Sequence, residues 1–245
     1  MKESFITLVM AVAITAMTYD DAQAQDAFTT KSGKSLKFHA LTHASIRIEF
    51  DGKEIEIDPV GELDNHSIDY SAFPKADYIF VTHEHYDHFD KNAIEVLTKE
   101  GTQMVTNQRC AEMLGYGKVM ANGDKAVLNE WLSVEAVPAY NTTEGHLQFH
   151  PKGRDNGFVL TIDGLRIYIA GDTEDIPEMA DINDIDIAFL PCNQPYTMTV
   201  DQCVRATKAI KPKVLFPYHY SQTDLTDLAP QLKEDGVEVR IRHYE

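Results

Sequence analysis

Apolar and polar residues alternate along much of this chain with the two-residue period of β-strands. The segment 45–50 alternates in this way, and the Asp51-Gly52 that follows predicts a hairpin turn. A second hairpin is predicted around Asp163-Gly164. Continuous apolar runs such as 78–81 predict strands that are buried on both faces. The predicted strands span 36–41, 45–50, 54–57, 78–81, 103–106, 131–137, 158–162, 165–170, 185–190, 214–216 and 237–241.

Other segments have the features of helices and loops. Helices are predicted over 91–100, 108–114, 199–210 and 225–233, with Asp90 and Thr199 as N-cap residues. Residues 25–35 are polar and small and predict a flexible lead-in, whereas 61–75 and 138–156 predict long loops. Strand-rich hairpins are followed by strand–helix alternation, and then both recur. This order predicts an α/β (α+β) fold, with two packed sheets and helices on their outer faces.

The first 24 residues have the features of a secretory signal peptide. Lys2 gives a thin basic region, residues 5–17 are apolar, and Ala22-Gln23-Ala24 matches a cleavage site. The apolar stretch is short for a membrane span, and no later segment has that length. We expect residues 1–24 to be removed and residues 25–245 to form one domain in a bacterial periplasm or outside the cell. An uncleaved N-terminal anchor is the alternative.

Composition and charge limit the expected partners. Hydrophobic residues make up 43% of the chain and charged residues 25%, as in globular proteins. The formal net charge of −17 disfavours nucleic acid, whose binding depends on Lys and Arg, and disfavours docking on anionic membranes. A small-molecule substrate is therefore the expected partner. Cys110, Cys192 and Cys203 are too few for a disulfide framework, and one bridge or three free thiols would both fit.

Candidate chemistry is concentrated in the segment 82–88, directly after a predicted buried strand. Side chains two residues apart on an extended segment point the same way, so His83 and His85 can bind one metal ion. Asp87 and His88 follow where a turning chain can carry them to a second ion, and a two-metal site needs such a divided ligand set. Imidazole and carboxylate ligands suit zinc, and also manganese or iron.

Two further metal-competent residues follow other predicted strands. Asp172 lies in Gly171-Asp172-Thr173, and His219 follows the strand 214–216. Because sites in α/β proteins are assembled at strand ends, these residues are expected to meet the segment 82–88. The carboxylate of Asp172 has two oxygens and can bridge two ions. Taken alone, Asp172 also suits a turn and His219 a packed core position.

The spaced motif His83-x-His85-x-Asp87-His88, together with Gly171-Asp172-Thr173 and the His219 of Phe-Pro-Tyr-His, resembles the metallo-β-lactamase-fold hydrolase superfamily. The resemblance covers nearly all of the chain after the signal segment and implies a four-layer αββα sandwich with a dinuclear site between the sheets. The stretches 43–50, 57–59 and 193–199 are similar to one branch of that superfamily. This branch contains L-ascorbate-6-phosphate lactonase and the N-acyl-phosphatidylethanolamine-hydrolysing phospholipase D.

The resemblance implies a ligand set in which Asp172 bridges two ions. One ion is held by His83 and His85, and the other by Asp87, His88 and His219. The family pattern also requires a further ligand to the first ion, from the chain between His88 and Asp172. We favour His150, because the adjoining Pro151 and Gly153 would fix its backbone. His146 and Asn141 are the alternatives, and a mononuclear enzyme is expected if none of the three is a ligand.

The chemistry expected of such a site is hydrolysis. Two divalent ions, zinc more than manganese, lower the pKa of a bridging water and give a hydroxide that attacks a carbonyl or phosphoryl centre. Asp87 or Asp172 would move the proton. We therefore expect a metal-dependent hydrolase of an ester, lactone or phosphodiester. A β-lactamase-type amide hydrolase and a metal-binding protein without catalysis are the alternatives.

Other residues are weaker candidates, each also compatible with an ordinary structural role. Lys152 and Arg154 are cations in the loop 138–156 that could pair with a substrate phosphate or carboxylate. The remaining candidates would line the pocket or orient ligands: Tyr196, Tyr220, His43 and Thr173.

Overall fold

The computed structural model describes residues 25–63 and 66–244. The predicted signal peptide lies outside the described residues. Within them, two large sheets and a small two-stranded pair are formed. The strands of the first half are β1 (Gln25–Thr29), β2 (Ser35–Thr42), β3 (Ser45–Phe50), β4 (Lys53–Ile57), β5 (Glu62–Leu63), β6 (His66–Ser67), β7 (Tyr78–Val81), β8 (Gln103–Thr106) and β9 (Lys118–Val119). Those of the second half are β10 (Lys125–Val127), β11 (Leu132–Ala139), β12 (Asp155–Ile162), β13 (Leu165–Ile169), β14 (Ile187–Pro191), β15 (Val214–Tyr218) and β16 (Glu238–Val239).

Each large sheet has seven strands in the described part of the chain. The first sheet has the order β1-β2-β3-β4-β7-β8-β9, and the second β10-β11-β12-β13-β14-β15-β16. The hairpins at the start of each half pair antiparallel, whereas β4-β7-β8-β9 and β13-β14-β15-β16 pair parallel. The carboxyl ends of several strands therefore meet at one edge of each sheet.

Helices cover the outer faces. The helices are α1 (Lys91–Leu97), α2 (Gln108–Leu114), α3 (Val200–Ile210) and α4 (Leu228–Leu232). Short 3-10 turns occupy Tyr70–Ala72, Pro177–Asp181 and Lys233–Asp235. The predicted caps are present: Asp90 accepts from the backbone of α1, and Thr199 forms a capping box with Gln202. In the described residues, no helix has the length and apolarity to cross a membrane.

The hydrophobic core lies in three layers. The central layer fills the space between the sheets and includes Phe38, Phe189 and Phe216, the last two stacked with ring centroids 4.9 Å apart. One outer layer packs under α1, and the other under α3 and α4. This is the αββα arrangement that the resemblance implied, with both faces of each sheet covered.

The prediction of a flexible lead-in over 25–35 is wrong, because residues 25–29 form the edge strand β1. β1 pairs antiparallel with β2, and residues distant in sequence stabilise it further. Phe28 packs edge-to-face on Phe38 with ring centroids 5.6 Å apart. Asp26 is bound by the guanidinium groups of Arg240 and Arg242 at 2.7–2.9 Å. Local composition does not show these contacts.

The other element predictions are confirmed, with shifted ends. The loop predicted over 138–156 is shorter, since β11 continues to Ala139 and β12 begins at Asp155. Cys110, Cys192 and Cys203 are all free and buried. The predicted loop 61–75 contains only the small β5–β6 pair and one 3-10 turn among its described residues.

Candidate metal centre

The structure brings all seven predicted ligands together at the carboxyl edges of the two sheets, and His43 joins them. They form two groups in which one donor atom of each side chain lies within 4.8 Å of the others. We call the eight residues together the donor cluster. One group is His83, His85, His150 and Asp172; the other is His43, Asp87, His88 and His219.

Asp172 lies between the two groups. One of its carboxylate oxygens, Oδ1, is 3.1 Å from Nε2 of His88. The other, Oδ2, is 3.2 Å from Nε2 of His219 and 3.3 Å from Nε2 of His150. The carboxylate therefore faces a histidine of each group, which is the arrangement that a bridging ligand requires.

Three histidines of the cluster are oriented by bonds to their other ring nitrogen. Nδ1 of His88 is 2.8 Å from an oxygen of Asp58, and Nδ1 of His150 is 3.0 Å from an oxygen of Asp155. Nδ1 of His83 is 3.0 Å from the hydroxyl of Thr82. These contacts leave each Nε2 directed into the cluster. Metal-binding histidines are held in the same way in proteins.

Three residues at or beside the cluster have backbone conformations that non-glycine residues rarely adopt. His43, Asp58 and His219 all have positive φ, of 49°, 43° and 46°. Such strain persists where the surroundings over-determine it, commonly at functional sites. Gly171, with a φ of 64°, precedes Asp172, and a Cβ there would lie 2.8 Å from the carbonyl oxygen of Asn156. Only glycine therefore allows the turn that presents the Asp172 carboxylate.

The electrostatics of the cluster favour an anionic Asp172 and a neutral His83. Burial raises the pKa of Asp172, but the charges of His219 and His88 outweigh it and hold that pKa well below its usual range. Burial and the neighbouring His88 hold the pKa of His83 well below its usual range. Anionic carboxylate and neutral imidazole are the metal-binding forms.

His88 differs from His83 in its charge. Burial opposes protonation, yet the carboxylates of Asp172 and Asp58 hold the pKa of His88 well above its usual range. A proton and a metal ion therefore compete for Nε2 of His88. Binding a metal there releases the proton.

The donor atoms also fit metal ions because they lack other partners. In the described part of the chain, the buried atoms without a hydrogen-bond partner include Nε2 of His43, His83, His88 and His219, and Oδ1 of Asp172. Nε2 of His88 approaches Asp172 at 3.1 Å without forming a hydrogen bond. Buried polar atoms are costly to leave unpaired. A set of nitrogen and oxygen donors that converge in this way is suited to zinc or manganese.

A cavity of about 550 Å³ opens over the donor cluster. This volume is typical of small-molecule sites. Its base is formed by residues of the cluster, and its walls by loops from both halves of the chain. The described residues of the walls are Leu63, Glu84, Tyr86, Phe149, Asn193, Tyr196 and Ser221.

The two alternatives to His150 make other contacts. Nδ1 of His146 is 3.6 Å from Oε1 of Glu174, and His146 belongs to neither donor group. Asn141 is buried, and its side-chain amide donates to the carbonyl oxygen of Tyr196 at 2.8 Å. His150 is the candidate for the further ligand that the geometry favours.

The two loop cations do not line the cavity. Lys152 donates to Glu178 at 2.6 Å and to the hydroxyl of Tyr140 at 3.0 Å. Arg154 makes two bonds of 2.7 Å to Asp155. Both charges are therefore used within the protein.

Of the other four weaker candidates, Tyr196 lines the cavity and His43 joins a donor group. Tyr220 donates to the carbonyl oxygen of Arg242 at 2.6 Å. The hydroxyl of Thr173 bonds the backbone of Tyr140 at 3.1 Å and so holds the start of the loop.

Sequence reasoning missed Asp58 and Asp155 and gave His43 too little weight. Asp58 follows β4, the parallel neighbour of β7, so it ends beside Thr82 at the same sheet edge. The position of an acidic residue at a strand end was the available signal. His43 has no comparable signal, since only the folded chain places it 3.3 Å from Asp87.

Comparison with known proteins agrees with this geometry. Residues 37–219 match the model of the beta-lactamase superfamily domain. A UPF0173 metal-dependent hydrolase of Ligilactobacillus salivarius is 33% identical over 199 residues, which cover 79% of this chain and 86% of the relative. Another, from Nanoarchaeum equitans, is 29% identical over 218 residues, which cover 84% of this chain and 96% of the relative.

Solved structures with the same fold include two metal-dependent hydrolases. That of Parabacteroides distasonis is 51% identical with a TM-score of 0.88, over 91% of this chain and all of the other. Igni18, a metallo hydrolase of Ignicoccus hospitalis, is 27% identical with a TM-score of 0.72, over 85% of this chain and 95% of the other. These similarities confirm the fold that the motifs implied.

Proposed function

This chain belongs to the beta-lactamase superfamily and to the UPF0173 metal-dependent hydrolases, and we propose that it cleaves an ester, lactone or phosphodiester with two divalent ions held by the donor cluster. That it is a metal-dependent hydrolase follows from the family. The number of ions, the bonds cleaved and the roles of individual residues are the proposal. The observation that carries it is the place of Asp172, whose carboxylate faces both donor groups.

Each donor group would hold one ion, with Asp172 shared between them. His83, His85 and His150 supply three imidazoles to the first, and Asp87, His88 and His219 supply a carboxylate and two imidazoles to the second. We propose zinc as the natural ion and manganese as a substitute, because all donors are nitrogen or oxygen. When bound, two such ions supply hydroxide at neutral pH and polarise the oxygen of the substrate.

Asp87 and Asp172 are the carboxylates that can move protons during hydrolysis. Both line the cavity, and Asp87 is the more accessible, with its side chain 18% exposed against 2% for Asp172. Oδ2 of Asp87 lies 3.3 Å from Nε2 of His43, so a proton taken up there can be passed along a short path. We assign the proton-handling role to these two residues.

His43 stabilises the position of Asp87. Its ring packs on that of His219 with centroids 3.8 Å apart, and the backbone N–H of His219 donates to the carbonyl oxygen of His43 at 3.0 Å. Burial and the neighbouring His219 lower the pKa of His43. We therefore propose a neutral His43 whose Nε2, 3.3 Å from Oδ2 of Asp87, can take up that proton.

We also propose that the protein is exported. The cleavage site predicted after Ala24 lies immediately before Gln25, the first residue of β1. Cleavage there leaves the β1–β2 pairing intact. N-terminal sequencing of the protein recovered from a periplasmic or culture fraction tests this; recovery only from the cytoplasm with residues 1–24 retained would contradict it.

The proposed function is tested on the purified protein by elemental analysis together with a hydrolysis screen. The screen contains an aryl ester, a lactone, a phosphodiester and a β-lactam. We expect about two zinc or manganese ions per chain, turnover of at least one compound, and loss of turnover with a chelator that added metal restores. Full metal content without turnover of any compound would contradict the proposed reaction.

A further inference from the structure

The described walls of the cavity over the donor cluster have an apolar side and contain no Lys or Arg. Leu63, Tyr86, Phe149 and Tyr196 contribute apolar surface. None of the described lining residues is Lys or Arg, and the wall residue Glu84 carries the opposite charge. Proteins that recognise phosphate or carboxylate groups usually supply Arg or Lys for that purpose. A substrate here meets no positive side chain in the described walls.

Arg154 lies beside the cluster, with Nη2 3.4 Å from Nε2 of His85, and it is bonded mainly within the protein. Its Nη2 donates to Asp155 at 2.7 Å and to the carbonyl oxygen of Phe149 at 2.8 Å. Its Nη1 is 3.8 Å from Glu84, and its side chain is only 19% exposed. The guanidinium therefore stabilises the loop that carries His150, and the carboxylates of Asp155 and Glu84 balance its charge.

Phe149 and Tyr196 form an aromatic wall built from two loops. Their rings pack edge-to-face with centroids 5.0 Å apart. Asn141 joins the loops, since its backbone N–H donates to the carbonyl oxygen of His150 at 2.9 Å and its side chain donates to that of Tyr196 at 2.8 Å. The wall is thereby fixed beside His150, one of the proposed ligands of the first ion.

We propose that the substrate is an uncharged carboxylic ester or lactone whose aromatic or branched apolar group packs against Phe149 and Tyr196, and that phosphodiesters are poor substrates. This rests on the proposed function and narrows it. In the reaction, the oxygen of water joins the acyl carbon and the bond from that carbon to the alkoxy oxygen breaks. The acid group formed loses its proton and the alkoxy oxygen gains one; an ester gives a carboxylate and an alcohol, and a lactone gives both groups in one hydroxy acid.

Three compounds with the same leaving group test this on the metal-loaded enzyme: p-nitrophenyl acetate, p-nitrophenyl phenylacetate and the anionic methyl p-nitrophenyl phosphate. Each kcat/KM is divided by the rate constant for hydrolysis of the same compound by hydroxide, which removes differences in reactivity. We expect the phenylacetate to exceed the acetate about tenfold, since a filled apolar pocket discriminates by at least that factor. The phosphodiester should show the smallest acceleration.

Variants of Tyr196 test the aromatic wall. Tyr196→Ala should lower the phenylacetate-to-acetate ratio about tenfold, and Tyr196→Phe, which keeps the ring, should retain it. Tyr116→Ala is the control, because Tyr116 is 49% exposed and is not among the described residues of the cavity. Metal content should be equal in all variants. Calorimetry with benzyl methyl ketone, which cannot be hydrolysed, should show weaker binding to Tyr196→Ala alone.

The outcomes separate this inference from the proposed function. A greater acceleration of the phosphodiester, or an unchanged ratio in Tyr196→Ala, overturns the substrate class and leaves the two-metal hydrolase in place. Absence of turnover of all three compounds, and of those in the broader screen, at full metal content overturns both.

Discussion

An oxygen of the Asp58 carboxylate lies 2.8 Å from Nδ1 of His88, and both side chains are fully buried. The backbone N–H and the hydroxyl of Thr82 also donate to Asp58, each at 2.7 Å. Asp58 therefore fixes the ring orientation of His88 and links it to the end of β7. It is a positioning residue, and it does not line the cavity.

Asp58→Asn should weaken metal binding. Asparagine keeps the shape of the side chain and tolerates the positive φ of 43° at this position, but it removes the charge that supports His88. Loss of such a partner typically costs about 10–100-fold in metal affinity or activity. The measurements are the metal Kd, by competition with a chelator, and kcat/KM.

The matched control is Asp51→Asn. Asp51 also has a positive φ, of 51°, but its side chain is 55% exposed in a turn, where it pairs with Lys34. Wild-type metal affinity is expected there. If Asp58→Asn unfolds at a lower temperature but binds metal as wild type does, Asp58 is only a structural residue.

His150→Ala and His146→Ala should behave differently. His150 has Nε2 at 3.3 Å from Asp172 and is buried, so its removal should release metal from its group and lower activity by more than about 100-fold. The side chain of His146 is 25% exposed and lies beside Glu174, so the His146→Ala variant should keep its bound metal and most of its activity. Elemental analysis and kcat/KM of both variants provide the measurement, and His83→Ala should match His150→Ala. Equal metal content in the two loop variants would remove His150 from the ligand set.

Glu174 holds the loop that carries His150. Its Oε2 accepts four hydrogen bonds of 2.7–2.9 Å from the backbone and hydroxyl groups of Thr142 and Thr143. Glu174→Ala removes these hydrogen bonds to a charged acceptor, and bonds of this kind contribute about 1.5–3 kcal/mol each at most, so the free energy of unfolding should fall. Metal affinity should fall as well, because the loop loosens.

The control for this prediction is Glu144→Ala, an exposed glutamate of the same loop. Thermal unfolding and metal competition are measured on both variants. Hydrogen exchange should show faster exchange over 142–150 in Glu174→Ala only. Unchanged exchange together with unchanged metal affinity would mean that the loop is held by other contacts.

The sequence was most informative where the determining contacts are local. The segment 82–88 contains four donors within six residues, so the order of residues alone predicts its chemistry. Hairpins were predicted correctly because alternation and turn residues are short-range signals. The wrong prediction for 25–35 concerned β1, whose partners Arg240 and Arg242 lie more than 200 positions away.

Site residues that depend on sheet pairing were the ones missed. Asp58 and His88 are 30 positions apart, and they meet because β4 and β7 are parallel neighbours. Glu174 accepts hydrogen bonds from Thr142 and Thr143, which lie about 30 residues earlier in the chain. No spacing rule in one sequence reports such contacts, since they arise from the packing of whole strands and loops.

Glu56, away from the donor cluster, gives a prediction about pH. It is fully buried on β4, and neither carboxylate oxygen has a hydrogen-bond partner. Burial raises the pKa of Glu56 well above its usual range, although the charge of Arg47 opposes this. Replacing an unpaired buried polar group by an apolar one of similar shape is neutral or stabilising. Glu56→Met should therefore be at least as stable as the wild type.

The sign of the pH dependence follows from the raised pKa. Below its unfolded pKa, Glu56 is protonated in both states and has no effect on the pH dependence. As pH rises above that value, the unfolded chain loses the proton while the folded chain keeps it, so wild-type stability falls by about 1.4 kcal/mol per pH unit until the folded pKa is reached. The stability advantage of Glu56→Met should therefore be larger at pH 8 than at pH 5. Thermal unfolding at both pH values measures this advantage, because a difference of 1 kcal/mol in unfolding free energy shifts the Tm by about 2–4 °C. Glu95→Met, at an exposed position of α1, should show no such change. Parallel Tm profiles for wild type and Glu56→Met would mean that the Glu56 carboxyl is ionised in the folded protein.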